Sequence, residues 1–251
     1  MTLKWPVMLL LVGLADPANA DLSFSDPDPV AITFTGFSGS GFSPEPSAGQ
    51  LDSDNWIVSG LSDGTLTWGG TKASGDFARG SRIFGATTGG IYAFTDSPGG
   101  NCLGVQPTSD DFTLGAFTLR LRNDIAPPLI GFTIAYRIYC YNDEARANSF
   151  KFAFSTNGLD TCLVPDLDYI SPELADGTLT NVARQTTQMD LRVESGGHLY
   201  LIWSGGDEGG SESRDEFALD EIVITPIWGH APSVLYVWAD SPAPAPPKET
   251  N

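Results

Sequence analysis

Ala116-Phe-Thr-Leu-Arg-Leu-Arg122 is the stretch that decides the fold, because its side chains alternate strictly between apolar and polar. Successive side chains of a β-strand point to opposite faces. Phe117, Leu119 and Leu121 therefore share one buried face, while Thr118 and the two arginines point outward. One buried face and one solvated face are typical of a strand in an antiparallel sheet.

Several other segments alternate in the same way or are rich in the β-branched and aromatic residues of strands. They are Val30–Thr35, Trp56–Val58, Thr65–Trp68, Gly90–Phe94, Ile130–Tyr139, Ser149–Phe154, Met189–Val193, His198–Trp203 and Phe217–Ile224. Asp63-Gly64 predicts a turn, and Asn157-Gly158 gives the strongest hairpin signal in the chain. About eight to ten short strands joined by turns predict an all-β fold, with two antiparallel sheets packed as a jelly-roll sandwich that carries long decorated loops.

The start of the chain predicts export. Lys4, the apolar run Val7–Leu14 and the small residues Ala18-Asn19-Ala20 form the pattern of a signal peptide cut after Ala20, so a secreted or extracellular protein is expected. No transmembrane span is expected, since a spanning helix needs roughly 20 apolar residues. The predicted parts are a signal peptide at 1–20, an extended leader at 21–30, the β-sandwich domain at 31–226, and an apolar patch with a Pro-rich tail at 227–251.

The acidic composition excludes some partners. Thirty-one acidic residues against thirteen basic ones give a net charge of −18. Such a charge repels phosphate backbones, and the arginines are scattered among acids, so nucleic-acid binding is not expected. Solubility and cation binding are both open explanations of the acidity.

Cysteine and histidine usage argues against zinc. Cys102, Cys140 and Cys162 make an odd number, which allows at most one internal disulfide in an exported chain. Cys140–Cys162 is the pair that we expect, and the sequence leaves the other pairings open. The sequence has no CxxC or HExxH spacing, and we expect both His198 and His230 to be ordinary surface or loop residues.

Charged residues cluster after two predicted strands and next to a third, where loops on a rigid scaffold often carry function. Three arginines lie close in sequence to carboxylates: Arg79 to Asp76, Arg146 to Asp143 and Glu144, and Arg214 to Asp215 and Glu216. An arginine fork binds a carboxylate with two parallel hydrogen bonds, so these pairs are expected to form. Two interpretations stay open: the groups lock the loops in one network, or they form the polar floor of a sugar site. Trp68, Tyr92 and Tyr141 offer rings for stacking on a pyranose.

The predicted ligand-binding set combines these charged groups with two of the rings. It consists of Trp68, Arg79, Tyr141, Asn142, Asp143, Glu144, Arg146, Arg214, Asp215 and Glu216.

Four motifs resemble a module of exported bacterial proteins that occurs alone or beside nuclease-like and lamin-tail domains. The motifs are Gly75-Asp-Phe-Ala-Arg-Gly80, Gly90-Ile-Tyr-Ala-Phe94, Tyr141-Asn-Asp-Glu-Ala-Arg146 and Ser213-Arg-Asp-Glu-Phe-Ala-Leu-Asp-Glu-Ile222. The resemblance extends from Phe34 to Ile224 and implies a β-sandwich fold without a settled activity. The ending Phe217–Ile224 is also similar to the last strand of carbohydrate-binding and MAM-like jelly rolls.

Calcium is the ion that the acidic composition favours, because Ca²⁺ takes roughly six to eight oxygen ligands from carboxylates and carbonyls. The likeness to jelly-roll endings implies Asp220 as a ligand. Asp52 and Asp54, just before Trp56, are possible partners.

These observations predict a non-catalytic module that binds an extracellular polysaccharide or a cell-surface component, with structural calcium. A polysaccharide hydrolase or lyase stays open as an alternative. It would use Glu144 and Glu216 as a pair of carboxylates about 5–10 Å apart, although adjacent arginines would lower their pKa values and oppose the role of general acid. A structural domain of a surface or matrix, which binds and cleaves no glycan, is the third possibility.

Overall fold

The computed structural model describes residues 22–211 and 213–229. The predicted signal peptide, its cleavage point after Ala20 and the Pro-rich tail lie outside the described residues. Among the described residues, no helix has the length and apolar character needed to cross a membrane.

Sixteen strands and two short 3-10 helices, Gly75–Phe77 and Pro165–Leu167, make up the described part. The strands are β1 Ser23–Phe24, β2 Val30–Ile32, β3 Phe37–Ser43, β4 Gly49–Asp52, β5 Trp56–Ser59, β6 Ser81–Arg82, β7 Gly90–Ser97, β8 Gly100–Gln106, β9 Ala116–Asn123, β10 Leu129–Asn142, β11 Arg146–Ser155, β12 Cys162–Leu163, β13 Tyr169–Ile170, β14 Thr178–Gln188, β15 His198–Gly210 and β16 Glu216–Trp228.

Two seven-stranded sheets form the sandwich. The sheet that we call the front sheet has the order β1-β9-β15-β11-β12, with β5 paired to β9 and β13 paired to β11. The back sheet has the order β14-β10-β16-β8-β7-β6, with β2 paired to β16. Most ladders are antiparallel, and the parallel ones are the short pairs β1–β9, β6–β7 and β3–β4. The predicted all-β, two-sheet jelly-roll sandwich is confirmed.

Aromatic rings fill the space between the sheets. Trp203 of β15 stacks on Trp56 with ring centroids 6.1 Å apart and meets Tyr136 of the back sheet edge-on at 5.6 Å. Phe150 of β11 stacks on Phe217 of β16 at 5.4 Å. These contacts join the inner faces of the two sheets, as the alternation of apolar residues predicts.

A second, smaller apolar cluster lies on the outer face of the back sheet. Phe84 and Ala86, in the loop that follows β6, pack onto Tyr92, Phe94 and Tyr139. The ring of Phe84 stacks on that of Phe94 with centroids 4.2 Å apart. This loop, residues 83–88, therefore covers part of the back sheet, and we call it the covering loop.

Two predicted strands are wrong. Thr65–Trp68 forms no strand: Leu66 makes a single bond to the carbonyl of Val58, and a turn at Trp68-Gly69 is closed by the amide of Gly70, which donates to the carbonyl of Thr67. Met189–Val193 makes only an isolated bridge from Val193 to Leu129. The other predicted strands are present, and Asn157-Gly158 lies in the connection from β11 to β12, which pair antiparallel.

The expected Cys140–Cys162 disulfide is also wrong. Cys140 is buried in the core on the back sheet, whereas Cys162 is exposed on β12 of the front sheet, and all three thiols are free. At the start of the described part, β1 pairs with β9 and Phe24 is buried, so the folded part includes residues that we expected to form an extended leader.

We expect Trp203→Ala to lower the free energy of unfolding by about 3–5 kcal/mol, because it removes a fully buried ring that contacts both sheets. Urea denaturation followed by circular dichroism measures the change. Leu163→Ala is the control: this side chain is 75% exposed, so its loss should stay within about 0.5 kcal/mol. Equal losses in the two variants would contradict the described core.

Candidate functional site

The structure separates the predicted ligand-binding residues into two regions. Trp68 lies at the outer face of the front sheet, where its ring neighbours that of Tyr200. The residues from Tyr141 to Arg146 and from Arg214 to Glu216 lie at one end of the back sheet and beside it, and several of them are buried. One continuous polar floor does not form from the predicted set.

Glu216 holds the covering loop down. Its side chain is fully buried, and one oxygen, Oε1, accepts hydrogen bonds from the amides of Gly85 at 2.7 Å and Ala86 at 2.5 Å. Burial, and then the adjacent carboxyl of Asp143, raise the pKa of Glu216 to about 8. A carboxyl group with this pKa is mostly protonated at neutral pH.

Asp215 is buried as well, and it holds a different loop. Its Oδ1 accepts a hydrogen bond from the amide of Glu144 at 3.1 Å. Burial raises the pKa of Asp215 to about 6. Asp215 therefore holds the loop after β10, which is a structural task.

The three predicted arginines serve three separate contacts instead of a single network. Arg79 pairs with Asp76, as the sequence predicts, and its Nε donates to the carbonyl of Gly89 at 2.9 Å. Arg146 forms a two-pronged ion pair with Asp207 of β15, which was not in the predicted set.

Arg214 is almost completely buried. It donates to the backbone carbonyls of Thr108 and Asp111 and to the hydroxyl of Thr113. Burial lowers the pKa of Arg214 from its usual value. Its guanidinium is committed to the loop before β9, so the prediction that it pairs with Asp215 or Glu216 is wrong.

Tyr141 and Asn142 complete this region. The ring of Tyr141 packs near Phe84 of the covering loop at 6.2 Å. The side chain of Asn142 donates to the carbonyl of Leu174 at 2.9 Å, and the backbone carbonyl of Asn142 accepts hydrogen bonds from the amides of Asp176 and Gly177. Tyr92, the further candidate ring, is buried under the same loop.

The predicted calcium ligands have local partners. Asp52 accepts the amide of Asp54 and the side-chain amide of Asn55, both at 2.8 Å. Asp220 accepts the amide of Glu221 at 2.8 Å and is buried on β16. Within residues 22–211 and 213–229, no group of three or more Asp, Glu, His or Cys residues is arranged to hold a metal ion. Calcium stays a prediction from the sequence.

The outer face of the front sheet carries a row of mainly apolar side chains across four neighbouring strands and onto a fifth. The ladder places Thr118 opposite Ile57 and Ile202, and Ala153 opposite Ile202 and Leu163. We call these five residues the transverse row. A flat, mainly apolar strip at the surface of a rigid sheet is a surface on which a ligand can lie.

Trp68 stands beside the transverse row because its turn is anchored on both sides. Leu66 is buried in the core, and the amide of Gly69, with φ +70°, donates to the carbonyl of Ser53 at 3.2 Å. A glycine accepts this left-handed conformation without steric cost. The guanidinium of Arg120 lies 4.3 Å from the centre of the Trp68 ring, a cation–π contact that fixes the ring further.

Tyr200 is the second ring of this surface. It lies opposite Arg120 in the β9–β15 ladder, with its ring centroid 6.1 Å from that of Trp68. The turn at Asn157-Gly158 packs against it so closely that a Cβ atom on Gly158 would lie 3.2 Å from the tyrosine Cζ. Trp68, Tyr200, this turn and part of the transverse row enclose a cavity of about 260 Å³. We call this surface the ring platform.

A second cavity, of about 300 Å³, adjoins the ring platform at Arg120. We call it the basic cavity. It is lined by Leu22, Asp54, Asn55, Arg120, Arg122, Gly196 and His198.

Sequence reasoning missed Tyr200, the transverse row and the basic cavity. Their signal was present in His198-Leu-Tyr-Leu-Ile-Trp203, where the buried Leu199, Leu201 and Trp203 force His198, Tyr200 and Ile202 to the outer face. An aromatic ring on the polar side of an alternating strand is the feature that would have found the site.

No protein-family model matches the sequence, and no curated protein matches it. Similar solved structures include the CBM22-1 xylan-binding domain from Paenibacillus barcinonensis Xyn10C, at 10% identity and TM-score 0.39, with 84% of this chain and 100% of that chain covered. The N-terminal cellulose-binding domain from Cellulomonas fimi β-1,4-glucanase C has 13% identity and TM-score 0.36, with 70% and 91% covered.

The CBM22-1–GH10 modules of Clostridium thermocellum endo-1,4-β-D-xylanase 10B, complexed with xylohexaose, have 10% identity and TM-score 0.36. That likeness covers 69% of this chain and 26% of the xylanase chain, so the two share only a minor part of the longer protein. Several of the structures that this chain resembles are thus carbohydrate-binding modules.

We expect Glu216→Gln to change how stability depends on pH. The pKa of Glu216 is raised from 4.5 to about 8 in the folded protein, so its contribution is fully present below pH 4.5 and is lost as the pH rises towards 8. The introduced glutamine keeps a side-chain oxygen that can accept the hydrogen bonds of the Gly85 and Ala86 backbone amides, and it carries no charge at any pH. Between pH 6 and pH 9 the free energy of unfolding should therefore fall less in the variant, by on the order of 1 kcal/mol or more.

Urea denaturation at the two pH values measures this difference. Glu45→Gln makes the same chemical change at an exposed side chain and should follow the wild-type pH dependence. If Glu216→Gln also followed the wild type, the raised pKa of Glu216 would be excluded.

Proposed function

We propose that this chain is a secreted, non-catalytic module that binds an extracellular polysaccharide on the outer face of its front sheet. The observation that carries the proposal is the ring platform: Trp68 and Tyr200, 6.1 Å apart, stand beside the mainly apolar transverse row. Both rings are partly exposed, so a ligand can reach them.

The chemistry of the platform suits a sugar chain. A pyranose presents an apolar C–H face and a rim of hydroxyl groups. Tryptophan and tyrosine offer large apolar faces with a polar edge, and ligand sites combine such surfaces with a few placed polar groups. Here Thr118, Asn157 and the Tyr200 hydroxyl supply polar groups at the platform.

The sheet holds the platform in place before any ligand arrives. Tyr200 and the transverse row belong to strands, and Trp68 is fixed by the buried Leu66 and by Arg120. Side chains on regular elements keep a more defined geometry than side chains on loops. Binding therefore loses little conformational entropy at this surface, which favours affinity.

The described geometry does not favour the hydrolase alternative. Glu216, one of its two carboxylates, is fully buried beneath the covering loop and bonded to two backbone amides, which disfavours proton transfer to a glycosidic oxygen. Glu144 belongs to the loop that Asp215 anchors. The two remaining hypotheses, a binding module and a structural domain, are distinguished by the experiment that follows.

The test is incubation of the purified protein with a panel of insoluble and soluble polysaccharides, with protein depletion and released sugar ends measured in the same tubes. We expect at least one polysaccharide to remove the protein from solution without any release of sugar ends. Release of sugar ends would instead support the hydrolase. The absence of both depletion and release across the panel would support the structural domain.

For the polysaccharide that binds, Trp68→Ala and Tyr200→Ala should each weaken affinity about tenfold or more, equivalent to ~1.4 kcal/mol, because each removes a ring from the contact surface. Isothermal titration with soluble oligosaccharides measures the loss. Tyr141→Ala is the matched control, since it removes a partly exposed ring on the back sheet. A loss in Tyr141→Ala as large as in Trp68→Ala would move the site to the back sheet.

A further inference from the structure

The basic cavity is unusual in so acidic a protein. The chain has a net charge of −18 and thirteen basic residues, yet two arginines and one of its two histidines line a single cavity. Arg120 and Arg122 lie two residues apart on the outer face of β9, and His198 lies opposite Arg122 in the ladder with β15. Strand geometry therefore places their side chains on one side of the sheet.

Arg122 has hydrogen-bond donors to spare. Its Nε donates to Asp124 at 2.8 Å, and neither of its two Nη atoms has a hydrogen-bond partner among the described residues. Half of its side chain is exposed. Guanidinium is planar and matches a carboxylate with two parallel hydrogen bonds, so Arg122 keeps the group that recognises an anion of this shape.

Arg120 joins the basic cavity to the ring platform. Its Nε donates to the carbonyl of Asp54 at 2.5 Å, and its guanidinium lies against the ring of Trp68. The nearest carboxylate oxygen of Asp54 is 3.9 Å from Nη2, too far for a hydrogen bond. A sugar chain that lies on the ring platform and continues past Arg120 therefore places its next sugar residues at the basic cavity.

We propose that the basic cavity takes the carboxylate of an acidic sugar, so that the ligand is a glycan with isolated uronic acid residues among neutral ones. The inference rests on the proposed function and names the class of its ligand. Neutral residues occupy the ring platform, and the uronate carboxylate binds Arg122 with His198 beside it. Asp54, which lines the cavity, Asp124, which pairs with Arg122, and the net charge of −18 disfavour a densely charged polymer.

The experiment titrates the full chain with methyl glucuronoside and, as the matched neutral sugar, methyl glucoside. NMR follows the imidazole protons of His198, which His198→Gln assigns against those of His230. We expect saturable shifts with the glucuronoside, at least tenfold weaker binding of the glucoside, and weaker binding of the glucuronoside as NaCl is raised.

Two variants locate the carboxylate. Arg122→Gln should weaken glucuronoside binding at least tenfold, because it removes the paired donors and the charge. Arg137→Gln makes the same change of charge on the back sheet, where Arg137 pairs with Glu221, and should leave glucuronoside binding unchanged. An equal loss in both variants would show a general charge effect and overturn the inference.

The outcomes also separate this inference from the proposed function. Polysaccharide binding that depends on Trp68, with equal or absent binding of the two methyl glycosides, overturns the acidic-sugar inference and leaves the binding module standing. Glucuronoside binding that depends on Arg122, without retention by any polysaccharide, overturns the polysaccharide module and supports the basic cavity.

Discussion

The packing of Trp203 against Trp56 and Tyr136 is the contact on which the rest of the structure depends, because it fixes which face of the front sheet is buried. Side chains alternate with a period of two, so a shift of one residue in β15 would turn every side chain to the opposite face. With Trp203 inward, Tyr200 and Ile202 must point outward. The ring platform is thus a consequence of the core.

The two outer faces of the sandwich differ because one is covered. The covering loop packs Phe84 onto the back sheet, and the buried Glu216 holds its backbone amides. Burying a carboxyl group costs several kcal/mol unless it is hydrogen-bonded or protonated. Here both conditions apply, since two amides donate to one oxygen and the raised pKa of Glu216 keeps its carboxyl group protonated at neutral pH. The apolar groups beneath the covering loop are therefore closed off, while Ile57, Ile202 and Leu163 on the front sheet stay accessible.

The sequence predicted the sandwich well because the strands around the core alternate clearly, as in Ala116–Arg122. It did not predict β14, whose run of threonine, glutamine and asparagine lacks an apolar face and forms a strand by pairing along β10. Trp68 was predicted as a sugar-binding residue, but its position depends on the burial of Leu66 and on Arg120. Glu216 looked like part of a surface loop, since its partners Gly85 and Ala86 lie more than a hundred residues earlier.

The distribution of charge follows from the same division of faces. The acids that the sequence placed in a ligand site are mostly used to hold loops at the back sheet, where burial raises the pKa values of Asp215 and Glu216. A group whose proton and hydrogen bonds serve the fold is a poor choice for recognising a ligand that comes and goes. On the front sheet, Arg122 keeps unused donors in water, which cost the fold nothing and are ready for a partner. Spare hydrogen-bonding capacity beside exposed rings, more than the density of charged residues along the chain, is therefore what marks the proposed binding surface.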